Sequence, residues 1–327
     1  MDAIVLEQVF KSFGEVRAVN DLSVQVPVGS IYGFLGPNGA GKTTTIRMIM
    51  NIIRPDSGNI SIFGDGTPAT SFLLAAATRA ARRGSRRSKT AGAQAKNRIG
   101  YMPEERGLYR KMRVSKALEY FGAIKGLSAS ELNYRVPQWL QRIGLAEWAD
   151  KKVEELSRGM HQKLQFAVTG INDPDLVILD EPFSGLDPVN QDLLKDIIIQ
   201  IRNDGKTIIF STHVMHEAER LCDFILLINK GKAVLDGRLD EIRSQYKSHA
   251  VSVELDGDTS FIKALPMIAG TRPEGRRLII NLAKDADPQD LLKVLVGRVK
   301  VLAFEVKAPS LHEIFVKAVG ASDAENS

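Results

Sequence analysis

One cysteine, Cys222, is the only thiol in 327 residues. No intrachain disulfide, cysteine-based metal cluster or redox pair can be built from it, and it reads as a core residue. The chain also lacks a secretory start: Met1-Asp2-Ala3 is not a basic stretch leading into an apolar one, so a cytosolic protein is expected. A membrane span is missing too. From Leu22 to Gly41 every residue is uncharged, long enough to cross a bilayer, but Pro27, Pro37, Gln25, Asn38 and the glycines interrupt it. A strand leading into a glycine-rich loop fits better. The net charge of +5 is not spread over the chain, because Arg79, Arg82, Arg83, Arg86, Arg87, Lys89 and Lys96 face Asp65 alone within residues 65–97. That tract exceeds the whole surplus, so the basicity is local and is not the footprint of a nucleic-acid-binding domain. Within it, Ser71 to Arg83 has the spacing of a short basic helix. The tract reads either as a solvated surface loop or as a contact for anionic headgroups or an acidic partner.

The length fits two domains. Strands are expected in the first 35 residues, where Leu22, Val24 and Val26 alternate with polar residues before Pro27. Helical spacing runs from Val114 to Leu145, with a break or a new start at Pro137. Short apolar runs at Leu176–Leu179 and Thr207–Phe210 flank a long helix over Val189–Asn203, Phe224–Lys232 reads as a strand and a turn, and another strand is expected at Ala233–Leu235. Alternation of this kind implies a parallel sheet covered on both faces. A second, small α+β unit is expected from Tyr246. Its elements are a strand at Val251–Leu255, a helix around Phe261–Ile268, strands at Leu278–Leu282 and Val301–Val306, and helices starting at Asp287-Pro288 and Ser310. No internal repeat is present.

The sequence is richest at Gly36-Pro37-Asn38-Gly39-Ala40-Gly41-Lys42-Thr43-Thr44, which fits the phosphate-cradling pattern G-x-x-x-x-G-K-[ST]. Its glycines let backbone N–H groups converge on phosphate, Lys42 adds a cation, and Thr43 offers a hydroxyl to Mg²⁺. A strand (Ser30–Leu35) before it and a helix (Thr44–Asn51) after it supply the context that the pattern needs. Asp180-Glu181 then ends the apolar run Leu176–Leu179. Asp180 is placed to hold the Mg²⁺ shell, and Glu181 to polarise the attacking water as general base.

With these residues together, the chain over residues 1 to about 240 closely resembles the ATP-binding subunits of ABC transporters. Four further segments carry the resemblance. Leu156-Ser157-Arg158-Gly159-Met160 stands where the family has Leu-Ser-Gly-Gly-Gln, which implies that Ser157 and Gly159 meet the γ-phosphate of ATP held by an opposite subunit. Ser184-Gly185-Leu186-Asp187 matches the loop that links the two sites. His213 matches the switch histidine, and Glu104, in Gly100-Tyr101-Met102-Pro103-Glu104-Glu105, takes the place of a metal-facing glutamine. Adenine is expected on Phe13, where the family has tyrosine, with Phe10 as competitor.

The resemblance implies a P-loop NTPase, α/β in class. A RecA-like core with an antiparallel β subdomain and an α-helical insert (about 112–170) would occupy residues 1–245, and the α+β unit residues 246–327. It implies ATP and Mg²⁺ as ligands, with Lys42, Glu181 and His213 catalytic and Thr43, Glu104 and Asp180 facing the metal. It also implies a second ATPase subunit, expected to be another copy, and separate transmembrane permeases at the cytoplasmic face of the membrane. Pro103–Tyr109, Arg158-Gly159-Met160 and Ser310–Phe315 look most like ATPases of ABC-2 type exporters for sodium or drugs. A non-transport ABC ATPase working on ribosomes or nucleic acid shares the chemistry, but generally carries two ATPase units or a long coiled coil. A GTPase would need Asn-Lys-x-Asp, and Asn229-Lys230-Gly231-Lys232 lacks the aspartate.

Arginine at a helix start opposes the macrodipole unless an anion binds there. Arg158→Gly is therefore expected to weaken ATP-driven pairing, read by sedimentation with and without ATP, and to slow turnover. If both values stay unchanged, Arg158 has no such role.

Overall fold

The chain is described here from a computed structural model, which covers residues 1–68, 98–105, 107–246, 250–283, 286–307 and 309–325. The expected basic helix over Ser71–Arg83 and the cations of its tract lie outside the described residues. Contacts divide the chain into two compact units, Met1–Leu239 and Asp240–Ser327. The division falls at the start of the helix Leu239–Gln245 rather than after it. The Leu239 N–H is bonded to the Asp223 carbonyl at 3.0 Å, which holds that residue to the first unit.

The first unit opens with two long antiparallel strands, β1 (Asp2–Phe13) and β2 (Val16–Pro27), and a short third, β3 (Ile31–Leu35). Leu22, Val24 and Val26 are buried while Ser23 and Gln25 are exposed, so β2 lays one face on the core. The helix Lys42–Ile49 follows β3, and then come β4 (Ser57–Ile62), β5 (Asp65–Pro68) and β6 (Ile99–Met102). β2, β1, β4 and β5 form one antiparallel sheet in that order. After the helical insert come β7 (Leu176–Asp180), the helix Pro188–Asn203, β8 (Thr207–Thr212), the helix Met215–Leu221, β9 (Phe224–Asn229) and β10 (Lys232–Arg238).

The second sheet has the order β10-β9-β3-β8-β7-β6. Its last five strands run parallel, and β10 pairs antiparallel on the edge. β3, β7 and β8 are buried at every residue, as apolar runs in a doubly covered sheet should be. Full burial of each large aliphatic side chain stabilises the fold by about 1.5–3 kcal/mol. Because β3, β8 and β7 are neighbours, the loops leaving their carboxyl ends emerge side by side. In open α/β sheets that edge is where ligands bind.

The insert consists of the helices Val114–Ile124, Ala129–Arg142 and Arg158–Gly170. Pro137 neither breaks nor starts a helix, contrary to expectation; it lies within Ala129–Arg142. Pro137 and Asn133, whose carbonyl it cannot bond, are both exposed, so the lost helix bond falls on the solvent side. Leu132, Val136 and Leu140 stay buried in one stripe, and the Ser128/Glu131 capping box fixes the start.

In the second unit, β11 (Ala250–Asp256), β12 (Ile268–Glu274), β13 (Arg277–Leu282) and β14 (Lys300–Val306) form an antiparallel sheet ordered β12-β13-β11-β14. Val251, Val253, Ile280 and Leu282 pack with Leu291 and Leu295 of the helix Pro288–Val296. The helix expected over Phe261–Ile268 is only a 3₁₀ turn, Ser260–Ala264, and Ile268 begins β12. Pro266 explains the correction, since it disfavours helical backbone at Leu265 and cannot donate to a helix.

Lys125, the C-cap of the helix Val114–Ile124, is partly buried and gives its ammonium to the carbonyls of Val168 and Thr169, both at 3.0 Å. Burial pulls its pKa down from 10.5 to about 8. Between these values the unfolded chain binds more protons than the folded one, so stability rises with pH from about 8 to about 10.5 and the cost is fully present below. From pH 7.5 to 10, the native protein should gain about 2 kcal/mol over Lys125→Met in urea unfolding. A pH-independent difference between the two would show that Lys125 does not titrate in this way.

Candidate active site

The glycines of the first loop are required by backbone contact as well as by conformation. A Cβ on Gly36 would stand 2.2 Å from the Ile228 carbonyl oxygen, and one on Gly41 would stand 2.4 Å from that of Ala18. Both also have positive φ, 149° and 112°. Gly41 caps the helix Lys42–Ile49 without any side-chain acceptor, which leaves the first-turn N–H groups free for an anion. A cavity of about 240 Å³ opens there. It is lined by Asn38, Gly39, Ala40, Gly41, Lys42, Thr43 and Thr44, with Ala18, Glu104 and Glu181 facing them.

Lys42 folds back over its own loop and donates to the carbonyls of Gly36 (2.7 Å) and Pro37 (3.1 Å). Burial lowers its pKa, against the opposing pull of the Glu181, Asp180 and Glu104 carboxylates. An arriving phosphate would favour the charged amine.

Asp180, the last residue of β7, has no exposed surface. Its Oδ1 accepts from the Ser211 hydroxyl and, at 3.3 Å, from the Thr43 hydroxyl. Its Oδ2 is buried and has no hydrogen-bond partner among the described residues. A carboxylate oxygen left open beside a threonine hydroxyl and a phosphate-sized cavity suits a hard, oxygen-seeking cation. Among the described residues no group of three or more His, Cys, Asp or Glu could hold a metal. Mg²⁺ needs none, since it takes one or two carboxylates and fills its remaining positions with phosphate oxygens and water.

Glu181 adopts a left-handed backbone, φ 49°, which is costly for glutamate. Two features hold it there. Its N–H is shared between the carbonyl (3.2 Å) and hydroxyl (3.1 Å) of Ser211, and its Oε1 lies 3.0 Å from His213 Nδ1. His213 leaves the end of β8, and the bend that carries it is itself braced. The Thr212 hydroxyl donates to the buried Glu217 carboxylate (2.7 Å) and accepts the Val214 N–H (3.0 Å). Burial, with Glu181 nearby, raises the Glu217 pKa against the pull of the Thr212 bond, Lys195 and His213. Sequence reading missed Ser211, Thr212 and Glu217. Their position around His213 was the available signal, but the pairing is tertiary.

The site expected from sequence is only partly assembled around the cavity. Asn38 to Thr44, Glu104 and Glu181 line it, while Gly36, Asp180 and His213 stand behind the lining, bonded to Lys42, Thr43 and Glu181. Phe13 is half exposed beside Lys11, whose ammonium lies 5.4 Å from the ring centre, and it is not part of the cavity lining. Ser157 and Gly159 are outside the lining as well. Ser157 caps the helix Arg158–Gly170 by accepting the Met160 N–H at 3.2 Å. A Cβ on Gly159 would stand 3.3 Å from Leu186, and one on Gly185 would stand 2.4 Å from Arg158 Nε, so this turn is packed onto the Ser184–Asp187 loop.

A phosphate loop after β3, an acidic pair ending β7 and a histidine after β8 define a P-loop ATPase. The ABC transporter family profile matches residues 19–184, and residues 237–319 match the C-terminal domain described as ATP-binding protein DrrA1-3-like. The ABC transporter ATP-binding protein YhaQ of Bacillus subtilis (strain 168) is 37% identical over 318 residues, spanning 97% of this chain and 99% of that protein. Nod factor export ATP-binding protein I of Cupriavidus pinatubonensis (strain JMP 134) is 34% identical, across 96% of this chain and 90% of its own. The solved ATP-binding subunit of an ABC transporter superposes with a TM-score of 0.63 at 28% identity, covering 74% of this chain and 92% of that one. The chain belongs to the ABC transporter family, as an ATP-binding ATPase subunit.

Gly36→Ala should weaken ATP binding at least about tenfold, since the methyl can be accommodated only by moving the loop off β9. Titration calorimetry with ATP measures this, and unaltered affinity would show that the loop can yield.

Proposed function

We propose that this chain powers an ABC exporter, hydrolysing ATP between two copies of itself while separate permease subunits at the cytoplasmic face of the membrane carry the substrate. The hydrolytic reading is carried by one observation: Thr43 and Glu181, which line the phosphate cavity, are bonded to Asp180, whose Oδ2 has no partner among the described residues, and to His213. The exporter reading is supported by likeness to a Nod factor export ATP-binding protein along nearly the whole chain. Among the described residues no helix is long and apolar enough to cross a membrane, so in this reading the pathway belongs to other chains.

The loop amides and Lys42 bind the phosphates. Thr43, Asp180 and Glu104 would hold Mg²⁺, which when bound draws charge from the phosphate oxygens. Glu181 Oε accepts the proton of the attacking water, and His213 orients that carboxylate and reaches toward the γ-phosphate. Ser157 and Gly159 serve the nucleotide of the second copy, which accounts for their separation from the cavity in one chain. Phe13 supplies an exposed ring for adenine.

Glu181→Gln should retain ATP binding and lose turnover by about a hundredfold or more. Trapped with ATP and Mg²⁺ in native membranes, this variant should be recovered with a polytopic membrane protein, identified by mass spectrometry. Recovery with ribosomes or nucleic acid instead would move the function to the non-transport ABC class. Normal turnover in the variant would remove Glu181 as the base.

A further inference from the structure

Two buried glutamines, Gln162 and Gln165, lie on one face of the helix Arg158–Gly170, three residues apart. They make the same contact with two different loops. Gln165 Nε2 donates to the carbonyls of Pro103 (2.8 Å) and Glu105 (3.2 Å), the residues on either side of Glu104. Gln162 Nε2 donates to the carbonyls of Glu181 (3.3 Å) and Pro182 (3.1 Å). An amide NH₂ has two hydrogens, and in each case both are spent on loop carbonyls. The opposite amide orientation would set oxygen against oxygen. Gln165 holds its orientation although its Oε1 is then buried without a partner among the described residues. A buried amide oxygen left open is costly, so the orientation is fixed by the loop.

We infer that Gln162 and Gln165 are positioning residues, a double bracket by which the helix that starts at Ser157 fixes the Glu181 and Glu104 loops at the nucleotide site. Neither glutamine lines the cavity. Each acts through a carboxylate that does, Gln165 through Glu104 and Gln162 through Glu181. Displacement of this helix therefore moves both carboxylates together. The inference rests on the roles given above to Glu104 and Glu181.

The test uses Gln165→Met and Gln162→Met in the full chain, because methionine keeps the length of the side chain and removes the donors. Hydrogen exchange by mass spectrometry reads the bracket itself. Exchange should quicken in the segment 102–108 for Gln165→Met and in the segment 181–186 for Gln162→Met, each without the other. Turnover should fall about tenfold in both. The Mg²⁺ concentration for half-maximal turnover should rise for Gln165→Met alone, and only Gln162→Met should change the pH profile of kcat. Unchanged exchange in the matching segments, or equal effects of both variants on both segments, overturns the bracket. Selective exchange with unaltered turnover overturns its role in the reaction. Glu181→Gln and Glu104→Ala, assayed alongside, locate the fault: if they too turn over normally, the assignment of the carboxylates has failed and the exchange data still judge the bracket.

Discussion

Asp180 sets the terms for the rest of the site. An anion with no exposed surface at the end of a buried strand is among the more expensive groups a fold can contain. Here the expense is only partly offset, by two hydroxyls on Oδ1, while Oδ2 stays open. Lys42 lies close enough to be influenced by Asp180, but its ammonium is spent on the carbonyls of its own loop. In the proposed function the residual demand for positive charge would be met by the cation that accompanies the nucleotide. Binding and the internal electrostatics of the site are thus two sides of one imbalance.

The sheet order explains why so few residues suffice. β8 lies between β3 and β7, and its last residues speak to both neighbours. Ser211 bonds Asp180 and receives the Glu181 N–H, so one serine places two functional carboxylates. Thr212, the next residue, points to the other face of the strand and is held by Glu217. The two hydroxyls, each fixed by a buried carboxylate from a different side, prevent the strand end from rotating. Only then can His213 meet Glu181 at hydrogen-bond distance, and only then is the left-handed backbone of Glu181 held in place.

What could be read from the sequence was what is local. The phosphate loop, Asp180-Glu181 and His213 each carry their meaning within a few residues, because strand, turn and helix follow one another directly. Glu217 and the two glutamines could not be found that way. A buried glutamate four residues past a histidine, or glutamines on a helix, look like ordinary helix residues until the loops they hold are known. The two misread elements fail for opposite reasons: Pro137 was given too much weight, since tertiary burial of Leu132, Val136 and Leu140 overrides it, and Pro266 too little. Ser157 and Gly159 were legible only through family resemblance, because neither lines the cavity of the chain itself.

That separation has a physical sense. The turn from Ser157 presents a helix N-terminus together with the Arg158 cation, an arrangement the macrodipole disfavours when no anion is near. The guanidinium donates to the neutral Ser184 hydroxyl at 3.5 Å and lies where a side chain on Gly185 would stand. In the proposed pair of copies, the surplus positive potential of this turn faces the phosphates bound to the other copy, and their negative charge relieves both. One chain is therefore short of cations at Asp180 and short of anions at Arg158. In the proposed pair, the other copy's bound nucleotide would meet the deficit at Arg158 and the cation of the chain's own site would meet that at Asp180, so the nucleotide would act as a structural part of the interface as well as the substrate. In that pair its hydrolysis would remove the γ-phosphate held by the turn, and the electrostatic case for staying together would weaken with it.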